Sequence, residues 1–417
     1  QPLENWDVSQ VTDMSYMFAG AEAFDQDLEH WDVSSVITMK GMFSHTKRFN
    51  CPLRLWDTSR TEDMEGMFSG AENFNQPLEG WDVGRVRSMA RMFKSAVSFN
   101  QPLGKWNVST VTDMSGMFAD AVMFDQPLTN WDVSQVRCME SMFAGAAAFN
   151  QPLDRWDVSA VTDMSSMFSS AVSFNQPLEK WNVSAVTRMD CMFEGARSFN
   201  QMLEDWDVSA VTDMRAMFSG AEEFNQPLEG WDVSAVTAMN LMFSRAVHFN
   251  QPLGKWDVSA VTDMSGMFAD ASSFNQEIGD WNVGRVTDMS LMFCGAVHFS
   301  QPLGMWNVSA ATDMNRMFEN AASFSQMLDN WNVSAVTSME RMFRNALHFS
   351  GSVGAWKPLQ VRSVRQMFLG AVSFDQDLGA WKMPLIRNPS QAEDFLTGAF
   401  SFSRGAEGVP EAVRRLN

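Results

Sequence analysis

The amino-acid sequence predicts an α/β repeat solenoid of about sixteen 25-residue units, each carrying a short parallel strand and a short helix. Three observations predict it. The text QPLDRWDVSAVTDMSSMFSSAVSFN at 151–175 returns nearly unchanged at 176 and again at 201. All 16 tryptophans, from Trp6 to Trp381, fall on one position of that unit without a phase slip. Within a unit the apolar residues show two periods, first alternating and then helical. A fixed period between about 20 and 50 residues marks a solenoid, a propeller or an array.

In each unit Leu153, Trp156 and Val158 lead an extended stretch in which Trp156 and Val158 alternate with Asp157. Val161, Met164, Met167, Phe168 and Ala171 then recur at helical spacing. Thr162 and Asp163 stand where a helix N-cap and an acidic first turn belong. Phe174 closes the unit, and Asn175-Gln176-Pro177 carries the chain to the next Leu178. One such unit cannot bury its apolar side, but stacked copies can, with strands along one face and helical turns along the other. At about 4.8 Å per strand, sixteen units would extend on the order of 75 Å. The predicted form is leucine-rich-repeat-like.

The repeats occupy 1–382; the pattern weakens from 351, where Lys357-Pro358 replaces Asp-Val and Val364 takes a methionine position. Residues 383–417 read as a degenerate last unit and a capping segment, with a short helix beginning at Pro410. No comparable cap precedes the first unit, and Gln1-Pro2-Leu3 opens in mid-phrase, so a trimmed N-terminus is expected. That open end could pack on another domain or subunit. No apolar run approaches a membrane span.

Net charge of −20 argues against nucleic acid and against anionic lipid as partners. Cys51, Cys138, Cys191 and Cys294 lie in non-adjacent units, too far apart for disulfides within the array, and read as free thiols.

The phrases WDVSxVTDMSxMF and FNQPLxxWDVS resemble the repeat of bacterial surface proteins of the BspA-like family, as in mycoplasma and listerial surface lipoproteins. The resemblance covers about nine-tenths of the chain. It implies a leucine-rich-repeat fold, an extracellular or cell-surface location, and adhesion or protein binding without enzymatic activity. No lipobox cysteine precedes the array, so lipid anchoring is not expected.

Candidate chemistry is sparse. A propeller blade needs about 40–45 residues, so the Trp-Asp dipeptide does not mark one here. The tryptophan and methionine rows read as core rather than as stacking platforms or copper ligands. The outward aspartates, among them Asp132, Asp157, Asp207, Asp232 and Asp257, are weak candidates for calcium. Asn107, Asn182, Asn307 and Asn332 occupy the same position in Asn-Val-Ser sequons, so an acceptor oxygen rather than a charge is what the position requires. His248, His298 and His348 share one position in alternate units, too far apart for a single zinc. No nucleophile elbow, phosphate loop or metalloprotease motif is present. No cofactor is expected.

The function predicted is therefore binding: a surface-exposed repeat protein that recognises another protein or a surface. A structural strut within a larger assembly is the alternative, and a calcium- or glycan-binding rod is a more distant one. Candidate contacts are Glu179, Lys180, Glu204, Asp205 and Glu229 beside the expected strand, and a basic strip of Arg316, Arg341, Arg344 and Arg365.

Overall fold

A computed structural model describes Leu3 and residues 6–416. The chain divides into two compact halves, Gln1–Ala210 and Val211–Asn417, each described by itself. Within each half the 25-residue repeats stack in parallel register. In the first half a single-residue parallel bridge passes from Asp13 to Thr38, Asp63, Ser88, Asp113, Cys138, Asp163 and Arg188. In the second it runs from Asp213 through Ala238, Asp263, Asp288, Asp313 and Ser338 to Ser363.

The local structure differs from the expected strand and helix. Among the described residues of the repeats neither element forms, and each repeat is a coil of linked turns. Turn bonds from Trp156 N–H to the Leu153 carbonyl (3.0 Å) and from Val161 N–H to the Val158 carbonyl (2.9 Å) close on both sides of the expected strand. The bridge therefore forms further on, at Asp163. Beyond it, alternate amides turn outward to the next repeat instead of pairing four residues back as a helix requires. Met164, Ser166 and Phe168 donate to the carbonyls of Arg188, Asp190 and Met192 at 3.1, 2.8 and 2.9 Å. The Met167 and Ser169 amides instead close four-residue turns onto the carbonyls of Met164 and Ser166. Turns closed three residues back bring every third residue to one side, which reproduces the apolar spacing of a short helix.

Ser166 and Ser170 hold φ of 55° and 57°, left-handed values that no α-helix tolerates in series. Glycine fills the second of these positions in several repeats, as at Gly145, Gly195 and Gly220.

The predicted core is present in both halves. Leu153, Val158, Val161, Met164, Met167, Phe168, Ala171 and Phe174 are buried, as are their counterparts in Leu253, Val258, Val261, Met264, Met267, Phe268, Ala271 and Phe274. Trp156 is only 3% exposed, stacked on Trp131 at 6.4 Å and on Trp181 at 6.5 Å. Its indole Nε1–H donates to the Leu128 carbonyl of the preceding repeat at 3.1 Å, and Trp256 does the same to Leu228 at 2.9 Å. A buried indole needs such an acceptor, and the stacking of repeats supplies one. Phe168 and Phe174 pair at 4.0 Å within a repeat and continue as two further ring ladders, Phe143 to Phe168 at 5.7 Å and Phe149 to Phe174 at 6.0 Å.

An amide ladder runs beside the rings. Asn150 Oδ1 accepts the Asn175 amide at 2.9 Å and Gln176 Nε2 at 3.0 Å, and Asn250 treats Asn275 and Gln276 likewise at 2.9 and 3.0 Å. The recurring Phe-Asn-Gln phrase is thus a stacking device.

At the C-terminal side the pattern continues with three extra residues. Phe368 N–H pairs with the Phe395 carbonyl at 3.0 Å, where earlier repeats would reach a methionine. Phe395 meets Phe368 edge-on, and Phe402 stacks on Phe374 at 6.4 Å. The expected helix is α1, Glu411–Arg414, with Pro410 at its N-cap.

Candidate functional site

The core consumes the residues that every repeat shares, so chemistry that distinguishes one part of the surface from another rests on exposed positions that vary. The aspartate row is exposed but locally engaged. Asp157 Oδ1 accepts the Ser159 amide at 3.0 Å and its hydroxyl at 2.6 Å. Asn182 makes the same two bonds to Ser184, at 3.2 and 2.7 Å, so the geometry works without charge. Asp132, Asp207, Asp232 and Asp257 accept the corresponding amides at 3.0–3.1 Å. Among the described residues no three His, Cys, Asp or Glu side chains converge as metal ligands.

The hydroxyl and amide of Ser34 hold the Asp32 carboxyl below its usual range, and the repulsion from Asp57 and Asp7 is the smaller influence. Ser159 and Ser259 act likewise on Asp157 and Asp257.

The histidine row bonds to backbone. Nδ1 of His298 and of His348 lies 2.7 and 2.9 Å from the carbonyls of Ser272 and Ala322, so each Nδ1 carries the proton. Burial pushes the Cys294 thiol up to about 12, and burial together with Asp25 does the same for Cys51, which leaves neither as a thiolate nucleophile near neutrality.

The expected contact residues fall in two groups. Glu179, Lys180, Glu204 and Asp205 are exposed and Glu229 is half-buried. Lys180 pairs with Asp154 at 3.5 Å, and Lys255 with Glu229 at 3.1 Å. The C-terminal arginines are each engaged. Arg316 and Arg344 converge on Glu319 at 3.6 and 3.0 Å, Arg341 bonds Gln366 at 3.0 Å, and Arg365 bonds Glu393 at 2.8 Å. Glu319 and Glu393 thus offset part of the strip's charge, while the partner of Arg341 is a neutral amide.

A different basic cluster lies in the first half. The exposed pair of positions that reads Ala160 and Thr162, or Ala185 and Thr187, reads Arg60 and Glu62, then Arg85 and Arg87, then Gln135 and Arg137. Of these, Glu62, Arg85, Arg87 and Gln135 line an open cleft of about 490 Å³ together with Thr110 and Thr112, and Arg60 and Arg137 occupy the same positions of flanking repeats. Its floor is pinned: Thr110 Oγ1 donates to the carbonyls of Val86 (2.8 Å) and Gly84 (3.2 Å), and Thr112 Oγ1 to that of Arg87 (3.3 Å). Arg60, Arg85, Arg87 and Arg137 are all exposed, and among the described ion pairs none includes them. Net charge is an average over the chain, so the exclusion of nucleic acid drawn from it does not extend to this face.

The family described as "Mycoplasma protein of unknown function, DUF285" matches residues 1–103, 46–154, 88–206, 122–231, 199–306, 223–329 and 292–407. The chain belongs to this family. The matches overlap because each covers about four repeats of a longer array. No curated protein matches the chain. Among solved structures it is similar to the TLR13–ssRNA13 complex (12% identity, TM-score 0.26), covering 87% of this chain and 51% of that one. It is also similar to the Drosophila Toll–Spatzle complex (10% identity, TM-score 0.27; 82% and 49% covered). A leucine-rich-repeat protein of Leptospira interrogans is a third (6% identity, TM-score 0.24; 88% and 93% covered). The chain thus spans about half the length of the first two. At these scores the likeness carries no argument about partners.

For this member of the family the serine-bonded aspartates make acid stability a readable property. Their folded-state pKa values lie below the ordinary value of 3.8. The stabilisation is complete above that value and is lost as pH falls through the lowered values. Asp313, raised by burial, contributes with the opposite sign. Unfolding midpoints measured from pH 7 down to pH 2 should therefore hold steady and then drop below about pH 4. Replacing Asp157, Asp232 and Asp257 together by Asn should flatten part of that drop while leaving the neutral-pH midpoint nearly unchanged. An unaltered acid limb would show that these bonds contribute nothing to acid stability.

Proposed function

We propose that the chain is a non-enzymatic, leucine-rich-repeat-like scaffold of BspA-like kind, exposed at a cell surface, where it binds another protein. One observation carries this reading: the shared residues of each repeat are spent on ring, amide and backbone ladders, whereas exposed positions vary in patches. Glu179, Lys180, Glu204, Asp205 and Glu229 are contact candidates on one such patch, and the arginine cleft is another. Catalysis would need a constellation assembled across repeats. The histidines that share a position bond to backbone instead, and the Cys51 and Cys294 thiols are held protonated.

The test is two-part. Labelling intact cells of the source organism with a membrane-impermeant reagent should modify the protein. Chemical crosslinking on those cells, followed by titration of the purified partner, should give saturable binding that substitution of exposed varied residues weakens. Recovery only as a fixed-stoichiometry member of a larger assembly, indifferent to those substitutions, would instead favour the strut.

A further inference from the structure

We propose that the cleft lined by Arg85 and Arg87, with Arg60 and Arg137 at the same positions of flanking repeats, is a docking site for an extended, carboxylate-rich peptide segment of a partner protein. This rests on the reading of the chain as a binding scaffold and names the chemistry of one of its surfaces.

Seven repeats carry Ala and Thr at these two positions: 160 and 162, 185 and 187, 210 and 212, 235 and 237, 260 and 262, 310 and 312, 335 and 337. Small residues are therefore all that stacking demands there. Arginine replaces them in adjacent repeats, at 60, 85 and 87, and again at 137. Parallel register sets neighbouring repeats about 4.8 Å apart at the bridge, so these side chains share one face rather than scattering.

With 50 acidic residues against 30 basic ones, a cation on this surface finds a carboxylate easily, and many do. Lys40 pairs with Glu65, Arg188 with Asp163 and Asp190, and Arg215 with Asp213. Arg85 and Arg87 line the cleft with Glu62 as its one carboxylate, and the repulsion between the two guanidinium groups falls when an anion enters. A guanidinium fork is shaped for bidentate pairing with carboxylate.

The exposed aspartates Asp57, Asp82 and Asp132 follow one edge of the arginine rows, and half-buried Asp63 and Asp113 follow the other. A duplex nucleic acid is wide enough to set its phosphates against those acidic edges, whereas a single extended peptide is narrow enough to lie between them. Single-stranded bases and sugars usually need an exposed aromatic platform. The nearby Trp81, Trp106 and Trp131 are buried. The Thr110 and Thr112 hydroxyls are already committed to carbonyls, so the floor offers a fixed surface and the arginines supply the attraction.

Ionic strength enters with a definite sign. At about 0.01 M salt the Debye length is about 30 Å, and the whole acidic molecule repels an acidic peptide; at about 0.1 M it is about 10 Å, and the local cluster dominates. Affinity should therefore peak at intermediate salt.

The experiment is fluorescence anisotropy on the full chain with a labelled ten-residue oligoglutamate peptide at about 0.1 M salt. The parent should bind saturably. Arg85→Glu with Arg87→Glu should weaken binding at least tenfold, and Arg155→Glu, an exposed charge reversal outside the cleft, less than twofold. Circular dichroism checks folding of each variant. Should the double reversal fail to fold, Arg85→Ala with Arg87→Thr, which restores the residues of other repeats, should show the same direction of loss. Absence of saturable binding by the parent overturns the proposal, as does equal loss in Arg155→Glu. A single-stranded oligonucleotide or a sulfated polysaccharide that binds more tightly, with that binding lost in the double reversal, also overturns it by assigning the cleft to another class. Failure here with a native protein partner still captured on cells sinks the cleft assignment and leaves the scaffold reading standing.

Discussion

Replacing Trp156 by alanine is expected to destabilise its region by about 3–5 kcal/mol, the range for removing a large buried ring. Trp156 lies between Trp131 and Trp181 and is 3% exposed, so the substitution opens a cavity with packed walls on both sides. It also removes the indole donor to the Leu128 carbonyl. Trp156→Phe separates the two effects: it keeps most of the ring but loses the hydrogen bond, and should cost about 1–3 kcal/mol. Trp6 offers the comparison. It is 54% exposed and stacks on Trp31 at 6.4 Å, so Trp6→Ala should cost clearly less. Each repeat touches only its neighbours, so the loss should be local. Hydrogen exchange should show protection falling mainly around residues 126–200, and a uniform fall along the chain would contradict nearest-neighbour stability.

Asn150→Ala should be costly for a different reason. Its side-chain oxygen is shared by the Asn175 amide and the Gln176 side chain, both partly buried. Alanine leaves both donors unpaired at a cost of about 1–3 kcal/mol. Asn150→Asp should be nearly neutral at pH 7, because Asp125 already serves the preceding repeat in this way, accepting Asn150 N and Gln151 Nε2 at 2.9 Å each. Denaturant unfolding of both variants checks this. Equal losses would mean that the position needs an amide nitrogen and that acceptance alone is insufficient.

Much of this architecture is legible in the sequence because the period repeats every error and every success. The burial of Trp156, Phe168 and Phe174 follows from apolar periodicity alone. The strand and helix do not follow, because turns closed three residues back place Val161, Met164, Met167 and Phe168 on one side much as a helix would. The left-handed residues at Ser166 and Ser170 are hidden by their identity, since serine does not announce positive φ as glycine does. Their role comes from backbone bonds to the next repeat, a partner absent from any local window. The surroundings of the candidate arginines are hidden for a related reason. Arg344 and Arg365 read as part of a basic strip in the sequence, and stacking sets Glu319 and Glu393 beside them. Arg60, Arg85, Arg87 and Arg137 are visible only when equivalent positions are read down the repeats rather than along the chain.

The account divides the molecule's labour: shared positions build the fold, and varied exposed positions recognise. The most direct measurement resets the cleft to the residues of other repeats, Arg60→Ala, Arg85→Ala, Arg87→Thr and Arg137→Thr, and records thermal unfolding beside oligoglutamate titration on one sample. Each exposed substitution should shift stability by no more than about 0.5 kcal/mol, while peptide affinity falls at least tenfold. Loss of stability on the scale expected for Trp156→Ala, with peptide binding retained, would show that the arginines serve the fold and that recognition lies elsewhere.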